Sequence, residues 1–317
     1  MEIIRLHYPL QGLDAETQRP KSVAIGYFDG VHRGHQNVIK QAVKAAHENG
    51  MEAAAMTFHP HPKEVLGKGD QYITCLSPLE EKMERFRALG VDIVYLVRFD
   101  KSFAAVNPES FVAEFLRPLH VKRIVVGFDF TFGARGAGTA ETLVELAKPD
   151  MEVDIVEALV MKNGDKVSST HIRAALSEGQ PEVARELLGA PYTIAGTVVR
   201  GDGRGRSIGV PTANLGLSEA YVIPKLGVYA IETELASGEC IPGILNVGVK
   251  PTFHDHLPEP VMEAHLFDFD RDIYGQILKV RLLTYIRAER RFGSVQELIQ
   301  QIGKDIAEAK NALAAMK

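Results

Sequence analysis

Two histidines three residues apart, His32 and His35, stand where an apolar run gives way to a glycine-rich turn, Gly26-Tyr27-Phe28-Asp29-Gly30-Val31-His32-Arg33-Gly34-His35. Residues at that spacing share one face of a first helical turn, so both imidazoles can reach one phosphoryl group undergoing substitution and stabilise its developing charge. Backbone N–H groups exposed by the glycines, with the unpaired N–H groups of a helix start, can hold phosphate oxygens without side chains. The stretch therefore reads as a nucleotide phosphate site built from Gly26, Phe28, Asp29, Gly30 and Gly34, with Gly34 leaving room for the nucleotide. Its flanks fit: Val23-Ala24-Ile25 reads as a buried strand, and Val38, Ile39, Ala42, Val43 and Ala46 recur at helical spacing until Gly50.

Other polar groups cluster further along. Thr57-Phe58-His59-Pro60-His61-Pro62 follows a second strand, at the edge where open α/β sheets bind ligands; the prolines either hold His59 and His61 in place or cap a loop with surface histidines. Gly127-Phe128-Asp129-Phe130-Thr131-Phe132-Gly133 sets three rings around Asp129, giving either a stacking platform for a flat heteroaromatic ring or a core cluster. Ser168, Ser169 and Thr170 open a helix that also carries Arg173, a set suited to the β and γ phosphates of a triphosphate, where a plain N-cap needs one hydroxyl. The run from Gly201 to Asn214 joins a glycine loop with two cations to a fixed turn and reads as a second nucleotide site, with Gly201, Gly203, Arg206, Gly209, Pro211 and Thr212 as its ligands. No Gly-Lys-Ser/Thr follows those glycines, so it is not a Walker A loop. Thr212 and Asn214, two apart on an extended segment, face one side and could share a Mg²⁺ that bridges phosphates. Glu263 sits inside the apolar run Val261-Met262-Glu263-Ala264-His265-Leu266, either as a general base for a substrate hydroxyl or as an outward, solvated carboxylate.

The elements that must position these groups fall into two textures. From residue 22 to about 180 apolar strands alternate with amphipathic helices, which predicts a parallel sheet with strands at 22–27, 53–58, 91–97, 123–127 and 152–157. Ser77-Pro78-Leu79-Glu80 predicts a capping box, and Asn107-Pro108 a further helix start. After Gly189-Ala190-Pro191 the chain turns to short β-rich runs, 192–199, 227–235, 241–247, 261–267 and 277–286, which predict an antiparallel barrel with a hairpin turn at Ser237-Gly238. Residues 294–317 predict a terminal helix packed on the barrel through Val295, Leu298, Ile299 and Ile302. A chain of 317 residues suggests two domains. The net charge of -5 gives no global attraction for nucleic acid or an anionic membrane. The start Met1-Glu2-Ile3-Ile4-Arg5 is not a leader and no apolar run approaches a membrane span, so a cytoplasmic protein is expected. Cys75 and Cys240, far apart, read as free thiols, with neither a disulfide framework nor a zinc site.

In this order the motifs closely resemble the prokaryotic bifunctional riboflavin kinase / FAD synthetase family over nearly the whole chain, with only small departures such as Gly189-Ala190-Pro191-Tyr192, where an arginine commonly precedes the proline. The resemblance implies an N-terminal Rossmann-like FMN adenylyltransferase domain over 1–180 and a C-terminal riboflavin kinase domain over 181–317, a six-stranded antiparallel barrel with the Pro211-Thr212-Ala213-Asn214 signature, Asn246-Val247-Gly248 and Pro251-Thr252-Phe253. It implies that Glu263 deprotonates the riboflavin 5'-hydroxyl for attack on ATP, with Mg²⁺ on Thr212 and Asn214 and flavin near Asn246. Arg290, Arg291 and Phe292, just past the last strand, would close over that flavin or form a solvated charge cluster. FMN would then attack the α-phosphate of a second ATP at His32, His35, Ser168, Ser169 and Arg173, giving FAD and pyrophosphate without a covalent intermediate. By the same analogy His59, His61, Asp129 and Phe130 border the flavin or adenine. FMN is expected to dissociate between the two steps. A chain with one dead module, or a flavin-binding regulator, would have lost some of these residues, and an adenylyltransferase for another substrate leaves the barrel unexplained.

Overall fold

The computed structural model describes residues 1–10, 19–67, 74–162, 164–201, 205, 209–250 and 259–316, in two compact units, Met1–Ser168 and Ser169–Lys317. The strands are β1 (Glu2–Leu6), β2 (Lys21–Ile25), β3 (Glu52–His59), β4 (Ile93–Arg98), β5 (Val121–Gly127), β6 (Thr131–Phe132), β7 (Gly138–Thr139), β8 (Glu152–Val156), β9 (Tyr192–Val199), β10 (Ala213–Gly216), β11 (Gly227–Glu234), β12 (Cys240–Lys250), β13 (Glu259–Leu266) and β14 (Ile277–Arg287). The longer helices are α1 (Arg33–Glu48), α2 (Leu79–Ala88), α3 (Ala140–Ala147), α4 (Ser169–Glu178), α5 (Pro181–Leu188) and α6 (Val295–Ala314).

In the first unit six strands form a parallel sheet in the order β1-β4-β3-β2-β5-β8. All five residues of β2 are buried, as a central strand covered on both faces requires. Ala24, Ala55, Val94 and Val125 pack on one face against Val38, Ile39 and Ala42 of α1 and Phe86 of α2, while Val23, Met56, Tyr95 and Val126 pack on the other against Phe111, Phe115 and Leu143. From β2 the chain moves outward through β3 and β4, then crosses back to β5 on β2's other side. The carboxyl ends of β2 and β5 therefore flank the crevice where a doubly wound sheet binds ligands. The five strands expected from sequence are present, and β1 adds an edge strand alongside β4. Its short run, with Ile3 exposed, carries too weak an alternation to read.

The predicted capping box does not form: α2 starts after Pro78 with no side-chain cap, because Ser77 Oγ accepts the N–H of Gly30 at 3.0 Å instead. Neither cysteine is in a disulfide, as expected. Among the described residues no helix is long and apolar enough to cross a membrane.

In the second unit α4 and α5 precede a closed antiparallel barrel ordered β10-β13-β12-β11-β14-β9. Tyr192, Ile194, Tyr229, Leu245, Met262 and Val280 are among its buried side chains, and Gly238, at φ 83°, makes the expected hairpin turn. The strand absent from the expected runs is β10, four residues that directly follow the glycine-rich run in sequence. The terminal helix is present, but its packing face lies later than the sequence suggested. Ile302, Ile306, Ala309 and Leu313 cover Val228, Ala230, Ile244 and Phe267, whereas Val295 and Ile299 are exposed. The first turns of α6 run beside an open cleft rather than the barrel's apolar surface, which leaves those two side chains nothing to bury against.

Candidate active sites

The loop after β2 is held in a conformation most side chains avoid: Phe28, Gly30 and Val31 all have positive φ, 55°, 78° and 41°. Phe28 turns inward and meets Phe86 at 5.7 Å and His35 at 5.3 Å, so its ring is core rather than a ligand platform. That fold-back explains Gly26, whose added Cβ would lie 2.8 Å from the Phe28 ring. His32 is the N-cap of α1, its Nδ1 accepting the N–H of His35 at 3.2 Å. An accepting Nδ1 carries no proton, so the neutral ring keeps its hydrogen on Nε2 and presents an N–H donor. His32 and His35 stack at 3.5 Å with planes 16° apart. The sequence reading gave Gly34 to the nucleotide, but the His32 ring fills that space, 3.2 Å from where a Cβ would stand.

Burial governs the charge of both rings. Desolvation lowers His32 to about 4 against the opposing pull of Asp29, and lowers His35 well below its ordinary value with help from His32 and Lys82. Both are neutral near pH 7, and His35 Nδ1 is shielded without a hydrogen-bond partner. Asp29, read as a phosphate contact, is itself buried and accepts the N–H of Leu76 through Oδ1 at 2.8 Å. The N–H of Gly30 is likewise committed, to Ser77.

Sequence reasoning passed over the residues that shape this loop. Ser77 and Leu76 bond it from the segment before α2, and from α2 itself Arg85 donates to Gly30 C=O at 2.9 Å and Lys82 to Tyr27 C=O at 2.8 Å. A signal was present: Leu79, Lys82, Met83 and Phe86 follow the spacing of an apolar helical stripe, and Lys82 is the charged member. His61 makes an edge contact with Tyr27 at 4.1 Å, whereas His59 ends β3 as an exposed residue. After β5, Phe130 stacks on Phe132 at 5.7 Å against the core, leaving Phe128 as the exposed ring with Lys166 Nζ 4.3 Å above it. Lys166 also pairs with Asp129 at 2.7 Å. Val167 C=O lies 3.7 Å from the Cβ position of Gly34, which brings Ser168 to the start of α1. Ser169, Thr170 and Arg173 lie on α4, in the second unit.

In the barrel the site is made by strand register. Glu263 pairs across the ladder with Asn214 on β10 and with Asn246 on β12, so a carboxylate stands between two amides in one row. Met262 and Ala264 face the barrel core, which turns Glu263 and His265 to the other side, into a cleft of about 540 Å³. Thr212, Asn246, Arg290, Phe292 and Asp305 line the same cleft. Asn214 packs so closely on Gly201 that a Cβ there would come 2.2 Å from its amide, and a Cβ on Gly205 would lie 3.2 Å from Thr212 Oγ1. Gly209 turns with φ 79° ahead of Pro211, whose C=O accepts from His265 Nδ1 at 2.8 Å. Gly203, Arg206 and Pro251-Thr252-Phe253 lie outside the described residues.

Two further residues of this site had no sequence signal read for them. Asp305 on α6, 1% exposed, takes a bidentate hydrogen bond from Arg287, with Nη2 at 2.7 Å and Nε at 2.8 Å. Both face the cleft, so α6 contributes a charged pair as well as apolar cover. Arg290 stacks over Phe292 at 4.8 Å and donates to Gln301 at 2.6 Å. An oxygen set of one hydroxyl, one amide and a nearby carboxylate suits a hard divalent cation that keeps water and phosphate ligands.

Comparison with known proteins gives matching results for the two halves. An FAD synthetase family model matches residues 14–171, and a riboflavin kinase model matches residues 188–313. A Bacillus subtilis protein described as a bifunctional riboflavin kinase/FMN adenylyltransferase is 43% identical over 310 residues, 98% of this chain and 97% of its own. An Escherichia coli (strain K12) protein of the same description is 36% identical over 313 residues, covering 97% and 98%. The crystal structure of a Streptococcus pneumoniae protein titled a macrolide-efflux protein superposes with a TM-score of 0.84 at 35% identity, covering 96% of this chain and 97% of that one.

Proposed function

The chain belongs to the bifunctional riboflavin kinase/FMN adenylyltransferase family, and from that premise we propose which of its residues carry each reaction. The protein is an enzyme with both transferase activities: it phosphorylates riboflavin to FMN and adenylylates FMN to FAD, with ATP as the donor in each step. In the kinase, Glu263 accepts the proton of the ribityl 5'-hydroxyl as that oxygen attacks the γ-phosphate of ATP. Asn214 and Asn246, in register on either side, orient the carboxylate and the sugar chain. Gly201, Gly203, Arg206, Gly209 and Pro211 form the nucleotide loop, and Arg290 and Phe292 border the flavin. Thr212 and Asn214 would hold Mg²⁺, which when bound neutralises phosphate charge.

In the adenylyltransferase, the FMN phosphate attacks the α-phosphate of ATP in line and pyrophosphate leaves. Both reactants are anions, so the protein's work is positional and electrostatic. His32 and His35 act as neutral N–H donors, the backbone at the start of α1 holds phosphate oxygens, and Ser168, Ser169, Thr170 and Arg173 bind the β and γ phosphates. Asp129, His59, His61 and the rings after β5 border the flavin or adenine. The functional boundary falls at 180/181, the enzyme works in the cytoplasm, free FMN passes between the steps, and neither nucleic acid nor membrane is a partner.

The observation that carries this reading is the stacked His32–His35 pair, with buried His32 capping α1 at the switch point of the sheet. Incubating the protein with riboflavin, ATP and MgCl₂ and separating flavins over time tests it. Transient FMN followed by FAD is expected, with the second step lost in His35→Ala. An unchanged FAD yield in that variant would refute the assignment.

A further inference from the structure

With His32 and His35 both neutral, the loop that must gather two polyanions lacks charge on its imidazoles, yet a buried cation stands directly beneath it. Lys82 on α2 is 4% exposed, its Nζ donates to Tyr27 C=O at 2.8 Å, and it lies 4.2 Å from the centre of the Tyr27 ring. Among the described residues no carboxylate stands within ion-pair distance of it, and the Tyr27 carbonyl is its one hydrogen-bond acceptor. An ammonium has three donors, and a buried one without a paired anion is costly unless something else compensates it. The groups facing it are Asp29 from the loop, His35 from α1 and Cys75 from the segment before α2, with Arg85 on its own helix tied to Gly30.

We infer that Lys82 is a positioning residue for adenylyl transfer: its buried ammonium, tethered under the loop through the Tyr27 carbonyl, draws the phosphates onto the N–H groups of His32 and His35. The inference rests on the phosphate site proposed at the start of α1. Burial also lowers Lys82 to about 8, with Asp29 and Cys75 pulling the other way. Part of its charge is therefore missing in the free protein above that pH. An anion arriving on the loop stabilises the protonated form, so phosphate binding must be accompanied by proton uptake. His32 and His35 do not take up the proton at pH 8, since both begin far below it.

The test is calorimetry of αβ-methylene-ATP binding to the full chain at pH 8.5, in buffers of different ionisation enthalpy. Comparison of the wild type with Lys82→Met, which keeps the apolar stem and removes the charge, isolates the lysine. Uptake in the kinase site and at the chain's amino terminus is common to both proteins and cancels in the difference. The wild type should take up a fraction of a proton more than the variant. Adenylyl transfer should fall at least tenfold in Lys82→Met and recover in part in Lys82→Arg, with FMN formation unchanged. Equal uptake in the two proteins, or adenylyl transfer within twofold of the wild type, would overturn the inference. Should Lys82→Met lose FMN formation as well, Lys82→Gln replaces it with the same two readouts. If His35→Ala kept full adenylyl transfer, the phosphate site itself would be wrong; if His35→Ala is dead while uptake is equal, only the role of Lys82 fails.

Discussion

At the start of α1 the proposed reacting groups stand on irregular backbone, His32 buried and His35 half-buried, whereas on the barrel wall they stand on regular strands and face an open cleft. Phe28 and Val31, with φ of 55° and 41°, hold a loop that few sequences tolerate, and desolvation makes the imidazoles it presents weaker bases than a free histidine. Asn214, Glu263 and Asn246 need nothing unusual of the chain, because three paired strands set their row. Geometry made from a ladder is held by many hydrogen bonds, each replaceable. Geometry made from a strained loop is held by a few bonds from elsewhere, here from Leu76, Ser77, Lys82 and Arg85.

Removing one proposed reacting group from each region should separate the two activities most strongly. Loss of one positioned donor costs about 10²–10³ in rate, so His35→Ala should reduce FAD formation from supplied FMN by that factor and leave FMN formation unchanged. Loss of a general base costs about 10²–10⁴, so Glu263→Ala should do the reverse. Chromatography of both products from each variant decides it. A folded variant that lost both activities would show that the two regions do not work independently.

What could be read beforehand divides along the same line. Regular elements announce themselves by period, so the central strands, α1 and the later barrel strands were legible, and so was the placing of His32 and His35 at a helix start and of Glu263 on a strand. The fates of individual polar atoms were not. Ser77 fits a helix-cap pattern, and only the folded chain shows Gly30 competing for its hydroxyl. Gly34 looked like space for a ligand until His32 was seen to lie over it. Asp305 reads as one more charge on an amphipathic helix, and its burial depends on Arg287 in a distant strand. Those facts rest on contacts between residues far apart in sequence, which composition and spacing do not encode.

A smaller effect should come from the barrel's own long-range pair. Asp305→Asn preserves shape but leaves the Arg287 guanidinium, 20% exposed, without its carboxylate. Removing one partner of a buried ion pair costs about 3–5 kcal/mol, and with Arg287 partly solvated about 3 kcal/mol is expected from urea unfolding of the second unit. Riboflavin should bind more weakly because Arg287 lines the cleft. Ser77→Ala is the counterpart in the first unit. An orphaned buried N–H costs about 1–3 kcal/mol, so stability should drop by about 2 kcal/mol and FAD formation should fall with it while the kinase holds. If Ser77→Ala were silent and Asp305→Asn impaired only stability, the loop would be less dependent on distant bonds than the strands are.

The gentlest probe is acid. His32 has a folded-state value of about 4 against an ordinary 6.5, so between those limits the unfolded chain binds a proton that the folded chain refuses. Stability is then present above 6.5 and is lost as pH falls toward 4; by pH 5.5 the loss from His32 alone is about 1 kcal/mol, with His35 acting in the same direction. Asparagine at position 32 can still accept the N–H of His35 as an N-cap but does not titrate. Thermal melts of the wild type and His32→Asn at pH 7.5 and 5.5 should show the acid shift of the first unit reduced in the variant, while the second unit's transition stays where it was. An acid shift of equal size in both proteins would place the sensitivity in carboxylates, and the desolvated imidazole pair would no longer distinguish one region from the other.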